Sequence, residues 1–181
     1  MEETAAQNVP QVSPGSVNII AACDENRAIG RAGKLPWHIR DDWRWFLERT
    51  RGGACVIGRI SYEAMLNGGS VNDKRKFFVV SHNQSLAGLH AQVFPECQEA
   101  LNAAQATGLP VWICGGPRIY KETMSRADRI YLTLIHAKLE GCDAWIPEWK
   151  DCFSETPSYE SRGKDNNFYY SFLVFDRKKR F

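Results

Sequence analysis

The 181 residues suit one domain with a real core, and 44% hydrophobic with 12% aromatic content argues against a disordered chain. A net charge of +2 and no long basic run exclude nucleic acid as a partner, the closing Arg177-Lys178-Lys179-Arg180 being a solvated tail. No apolar run approaches the roughly 20 residues of a membrane span, and six cysteines without CxxC or zinc-like spacing indicate a reduced, cytoplasmic protein.

Residues 1–16, MEETAAQNVPQVSPGS, are polar and lack an apolar centre, so they read as a disordered extension rather than a signal peptide. Residues 17–181 are then the single domain. Its first element is the apolar run VNIIAAC at 17–23, the mark of a strand buried on both faces. Asp24-Glu25-Asn26 breaks that strand and leads into the stretch 29–50, IGRAGKLPWHIRDDWRWFLERT, which the chain seats as a Gly-rich loop followed by a helix. At about 100° per residue, Ile39, Trp43, Phe46, Leu47 and Thr50 share one helical face. Asp42 lies on the edge of that face, whereas Asp41 and Glu48 point toward solvent. A carboxylate among apolar neighbours needs a partner and should have a raised pKa. Asp42 is therefore the candidate for chemistry, and Asp41 is the ordinary first-turn acid that suits the helix dipole.

Gly52-Gly53 signals the helix end. A second buried strand follows at 54–57, then Gly58-Arg59 and a short helical pattern to Met65. Residues 66–73 read as loop, 76–81 as a third strand, and Val93-Phe94 as the end of a weaker fourth. A helix is expected over 95–106 and another buried strand over 111–114, stopping at Gly115-Gly116-Pro117. Pro117 suits the first turn of a helix running to about Ser125. Two last strand patterns, 129–137 and 168–175, have no helix between them and are expected as an antiparallel addition at one edge. The alternation predicts a three-layer α/β/α fold with a mostly parallel sheet and an antiparallel edge hairpin.

Ligands of such folds bind beyond the carboxyl ends of the strands. Gly58-Arg59 and Gly115-Gly116-Pro117-Arg118 both place glycine and arginine at strand-to-helix turns, where amides and a guanidinium can meet a phosphate. Neither is a GxGxxG fingerprint, and glycine at such turns is commonly structural. His38, His82, His90 and His136 have no ligand spacing, so no metal is assigned. Tryptophans usually belong to the core; Trp37, five residues before Asp42, is singled out.

The segments AIGRAGKLPWHIRDDWRWF, VIGRISYEAM, RKFFVVS, ICGGPRIY, RIYLTLI and EGCDAWIP, in that order over residues 17–176, resemble dihydrofolate reductase. The resemblance is to the bacterial form, with aspartate where vertebrate enzymes carry glutamate. It implies NADPH-dependent reduction of dihydrofolate in a monomeric protein that also binds antifolates. It gives Asp42 the pterin's 2-amino group and N3, with Thr133 in support and Trp37 positioning a water. It gives Ile20, Ala22, Leu35, Trp43, Phe46 and Cys114 to the pterin and benzoyl pocket, and Arg75 to the α-carboxylate of the substrate's glutamate. Toward NADPH it implies Ala22, Ile29, Gly58, Arg59, Ser61, Ser81, Gly115, Gly116, Arg118, Ile119 and Tyr120, with Arg59 on the 2′-phosphate and a cis Gly115–Gly116 peptide. The loop 27–35 is expected to close over the nicotinamide, braced by Asp143.

The chain departs from the bacterial pattern at three places. LNGGSVNDK replaces a compact Pro-Leu-Pro-Gly stretch, Trp43 replaces a smaller apolar residue, and His82 and Ile60 replace small polar or basic residues near the adenosine phosphate. The first two raise the expectation of a trimethoprim-insensitive variant. Two other readings are a riboflavin-pathway reductase of the same fold and a silent folate- or nucleotide-binding module. Asp42 after LPW weighs against the first; intact Trp37, Asp42, Arg75 and Thr133 weigh against the second.

Overall fold

A computed structural model describes residues 9–165 and 167–179. The chain runs β1 (Val17–Cys23), β2 (Ala28–Gly30), α1 (Arg40–Thr50), β3 (Ala54–Gly58), α2 (Arg59–Asn67), β4 (Lys76–Val80) and β5 (Ala91–Phe94). It continues with α3 (Cys97–Ala106), β6 (Val111–Ile113), α4 (Pro117–Thr123), β7 (Arg129–Ile135), β8 (Ala144–Trp145), β9 (Tyr159–Lys164) and β10 (Tyr169–Asp176). Eight strands form one sheet in the order β5-β4-β3-β6-β1-β7-β10-β9, and β2 pairs with β8 in a small second sheet. The six strands from β5 to β7 are parallel to their neighbours, while β10 and β9 each run antiparallel.

The apolar runs make this sheet because both of its faces are covered. From β1, Val17, Ile19, Ala21 and Cys23 enter one apolar layer with Leu101 of α3 and Ile119 of α4. Ile20 turns to the other face and joins Trp45 of α1 with Tyr62 and Met65 of α2. A strand that alternates between two buried layers must be apolar almost throughout, and in VNIIAAC the one polar residue, Asn18, is buried with its amide donating to Ser16 Oγ and Val111 O.

Several features differ from the sequence-based expectation. The two expected strands do pair antiparallel, β7 with β10, but neither is the edge: β7 also pairs in parallel with β1, and β9, antiparallel to β10, closes that side of the sheet. Strand β9, YESRGK, shows no apolar pattern because only Tyr159 is buried; its register with β10, not its composition, makes it a strand. Leu66 and Asn67 complete α2 rather than opening the loop.

Residues 9–16 are docked rather than disordered; residues 1–8 lie outside the described residues. Val9 and Val12 pack on the Trp45–Tyr131 layer. The Tyr131 hydroxyl donates to Pro10 O at 3.1 Å, and Arg129 donates to Gln11 O at 2.7 Å. Such a segment shows no periodicity in sequence because its order comes from partners far along the chain.

Helix α1 also differs. Its buried aromatic is Trp45, stacked on Phe172 with centroids 4.6 Å apart. Trp43 is 40% exposed and stacks on Phe46 at 5.3 Å. The helix is apolar on two sides because one meets the core and the other borders an open cleft. Asp41 is exposed but not free, since the Tyr170 hydroxyl donates to it at 2.5 Å.

Candidate active site

The cleft lies where the carboxyl ends of β1, β3, β6 and β7 meet the starts of α1, α2 and α4. Asp42 is in the first turn of α1, whose cap residue Ile39 supplies no side-chain bond. Its carboxyl group faces Thr133, which is fully buried on β7 and sits beside Ala22 of β1 in the parallel register. Burial is the largest influence on Asp42 and raises its pKa above the ordinary carboxylate value; the Thr133 hydroxyl and the Trp37 indole pull it back. The Trp37 N–H is buried and finds no acceptor within hydrogen-bonding distance, so its pull on Asp42 acts across a longer gap. A buried donor of this kind suits a water bridging it to the carboxylate.

Of the other residues expected to line a pocket, Ile20 is buried, Ala22, Phe46 and Cys114 are half-buried, and Leu35 and Trp43 stand open. Cys114 follows β6 next to Cys55 of β3, and burial pushes its thiol pKa up, so it acts as an apolar wall. Arg75 is 4% exposed; its Nε donates to Thr50 Oγ1 at 3.0 Å and one Nη to Leu47 O at 2.8 Å. Those two bonds fix the plane of the guanidinium.

The two glycine turns, separate in sequence, are one structure. Gly58 N donates to Gly115 O at 2.7 Å, and Gly115–Gly116 is a cis peptide. Gly115 has φ +96°, and a Cβ there would meet the Tyr120 hydroxyl at 3.0 Å. A Cβ on Gly116 would meet nothing within 4 Å, so this backbone is open to the cleft as a dinucleotide cradle requires. Ser61 and Ser81 lie half-buried nearby, at the start of α2 and after β4. Arg59 pairs with Glu63 at 2.9 Å, and Arg118 pairs with Glu122 at 2.6 Å and Glu96 at 3.8 Å. Ile119 and Tyr120 are buried behind the cradle, and the Tyr120 hydroxyl donates to Ile20 O at 2.8 Å. The Tyr120 ring lies against Gly115.

The loop 31–34 approaches the first turn of α2, with the Cβ position of Gly33 3.9 Å from Ile60. Asp143 accepts from Ala32 N at 3.0 Å, and its own N–H donates to Gly30 O at 3.0 Å. Half-buried Ile29 lies on β2 at the base of the loop. Asp24, in sequence a plain strand breaker, is fully buried and ties the base down. One oxygen accepts from Asn26 N and Ala28 N, the other from Leu139 N at 2.8 Å. Its place two residues before Asn26 is an Asx-turn signal that could have flagged this role.

Comparison with known proteins agrees with this geometry. The family model described as dihydrofolate reductase matches residues 16–177. The chain belongs to the dihydrofolate reductase family. It is 30% identical to the dihydrofolate reductase of Bacillus subtilis over 164 residues, covering 90% of this chain and 95% of that protein. It is 31% identical to dihydrofolate reductase type 3 of Salmonella typhimurium over 168 residues, covering 90% and 99%. A solved dihydrofolate reductase from Enterococcus faecalis, complexed with NADP(H) and RAB-propyl, superposes with a TM-score of 0.81 at 27% identity. That match covers 93% of this chain and 100% of the other. Family membership makes the chain an NADPH-dependent oxidoreductase.

Proposed function

We propose that the chain reduces 7,8-dihydrofolate to 5,6,7,8-tetrahydrofolate, with Asp42 as the group that holds and polarises the pterin. The observation that carries this reading is the desolvated Asp42 carboxylate, which faces Thr133 and Trp37 and is near enough to Tyr120, beside Gly115, to raise that phenol's pKa. Bound NADPH supplies the hydride, from nicotinamide C4 to pterin C6. The chain does the rest by placement and electrostatics. Asp42 accepts from the pterin's 2-amino group and N3–H. The Thr133 hydroxyl fixes the carboxylate, and Trp37 offers its N–H to a water beside it. The negative charge of Asp42, accepting from N3–H and the 2-amino group, pushes electron density into the ring and stabilises its N5-protonated form, so N5 takes its proton from water. Leu35, Phe46 and Trp43 exclude bulk water from the ring. Arg75, its fork held by Thr50 and Leu47, clamps the α-carboxylate of the glutamate. Gly58, Gly115 and Gly116 bring their backbone against the pyrophosphate, and Arg59 and Arg118 meet the phosphates after leaving their carboxylate partners. The test is direct: purified protein with NADPH and dihydrofolate should lose nicotinamide absorbance at a rate proportional to protein. No oxidation above the no-substrate control would overturn the reading.

A finer reading concerns inhibitors. Diaminopyrimidines such as trimethoprim share the Asp42 contact but lack the glutamate that Arg75 holds. They depend on apolar packing beyond that head, worth roughly 25 cal/mol per Å² buried. Trp43, stacked on Phe46, fills space there that a smaller residue would leave. Trimethoprim should therefore inhibit this protein more weakly than a typical bacterial relative, while methotrexate stays tight. Inhibition constants for both drugs decide the point, and tight trimethoprim binding sinks it.

A further inference from the structure

Asp42 is one peptide bond from a second carboxylate with a partner of its own. Tyr170 of β10 is 2% exposed and packed with Trp37, Ile39 and Ile135. A phenol in that setting needs an acceptor, and its hydroxyl donates to Asp41 Oδ2 at 2.5 Å. The ring has room because the opposite residue on β9 is Gly163, where a Cβ would lie 2.4 Å from the Tyr170 ring. The other contact of Asp41, Arg44 at 3.4 Å, is solvent-exposed and contributes little.

The same strand grips α1 a second time. Phe172, two residues along β10, stacks on Trp45. Phe172 lies opposite Thr133 in the β7–β10 register, and Thr133 meets Asp42. Strand β10 therefore holds α1 at Asp41 and at Trp45, on either side of Asp42. The helix start has no side-chain cap to do this instead.

We propose that Tyr170 and Asp41 form a positioning pair that sets where the Asp42 carboxylate stands against the pterin, an inference that rests on the reading of Asp42 given above. The pair touches neither substrate nor cofactor. Its effect is geometric: the tether fixes the first turn of α1, and a loosened turn lets Asp42 drift from Thr133. Alignment errors near 1 Å can lower rates by orders of magnitude. Burial and the Asp41 carboxylate both keep the Tyr170 proton in place, so the tether persists through neutral pH.

The experiment uses Tyr170→Phe, Asp41→Asn and the double variant, with Tyr169→Phe as control and folded sites counted by NADPH binding. Each single variant is expected to lower kcat per site by about threefold to tenfold with little change in KM for dihydrofolate. The double variant should be no slower than the worse single, because both remove one bond. The control should match the wild type. Asp41 is on the surface, so Asp41→Asn decides the matter even if Tyr170→Phe folds poorly. Wild-type kcat per site in Asp41→Asn, or losses that multiply in the double variant, would overturn the proposal. If Asp42→Asn keeps full activity, the reading of Asp42 fails and takes the pair with it. An inactive Asp42→Asn beside an unaffected Asp41→Asn sinks the pair alone.

Discussion

At the end of the cleft bounded by α1, β1 and β7, polar chemistry rests on half-buried Asp42 against buried Thr133, and on buried Arg75 against Thr50 and Leu47. At the end where β3 and β6 finish, it rests on glycine backbone and on Arg59 and Arg118, which stand half in water beside carboxylates. A charge in low-dielectric surroundings interacts several times more strongly than one in water and tolerates misplacement less. Exposed ion pairs are screened and exchange partners cheaply. On the function proposed above, the substrate end would draw its specificity from one or two groups, and the cofactor end from shape with charges that are available to switch.

The sharpest way to break this contrast is Asp42→Asn. It should lower kcat/KM for dihydrofolate by about a hundredfold or more at neutral pH while the chain stays folded. Its stability should move the other way. Burial raises the Asp42 pKa in the folded chain, so the native state binds that proton more tightly than the unfolded chain does. Ionisation thus opposes folding, increasingly as pH climbs from the ordinary carboxylate range toward the raised value. The variant should melt a few degrees above the wild type at pH 7, with the gap closing in acid near pH 4 and below. A variant that melts lower at neutral pH would count against a desolvated Asp42.

Next in size is Arg75→Lys, which keeps the charge and loses the fork. KM for dihydrofolate should rise by about tenfold or more with kcat largely kept. A pteroate substrate without glutamate should show no such rise; equal losses on both would assign Arg75 to folding alone. At the other end, Arg59→Ala should raise KM for NADPH by roughly tenfold and leave NADH nearly unchanged. Added salt should weaken NADPH more than dihydrofolate, since Arg59 is the more exposed cation. Trp43→Leu should tighten trimethoprim by about fivefold while methotrexate moves less, the difference reporting a modest change in buried apolar area. The smallest effect is expected from Asp143→Asn, which weakens one bond to Ala32 N; a fall of about threefold in turnover with unchanged KM for NADPH fits a brace.

The residues that carry charge or glycine at strand ends are legible in the amino-acid order alone, because chemistry at such places leaves few substitutes. Asp42 stands out by its apolar neighbours, and the two glycine turns by the strands they end. Pairing across distance is what the order of residues does not carry. That Gly58 and Gly115 form one cradle follows from β3 lying next to β6, a topological fact no local pattern encodes. The face of α1 is ambiguous in sequence because both Trp43 and Trp45 are apolar, and only the cleft's position decides which is covered. Asp41 reads as an ordinary surface acid because its partner, Tyr170, is far along the chain.

The docked N-terminal segment bears on how this protein is handled at the bench. The family match begins at residue 16, so an expression design trimmed to relatives would start there. That cut removes Val9 and Val12 from the Trp45–Tyr131 layer and takes away the acceptor of the Tyr131 hydroxyl. A chain begun at Ser16 should melt lower and aggregate sooner than the full one, through newly wetted aromatic surface. Scanning calorimetry and light scattering on the two lengths would register this, and the boundary that looks dispensable by alignment would show itself to be part of the domain.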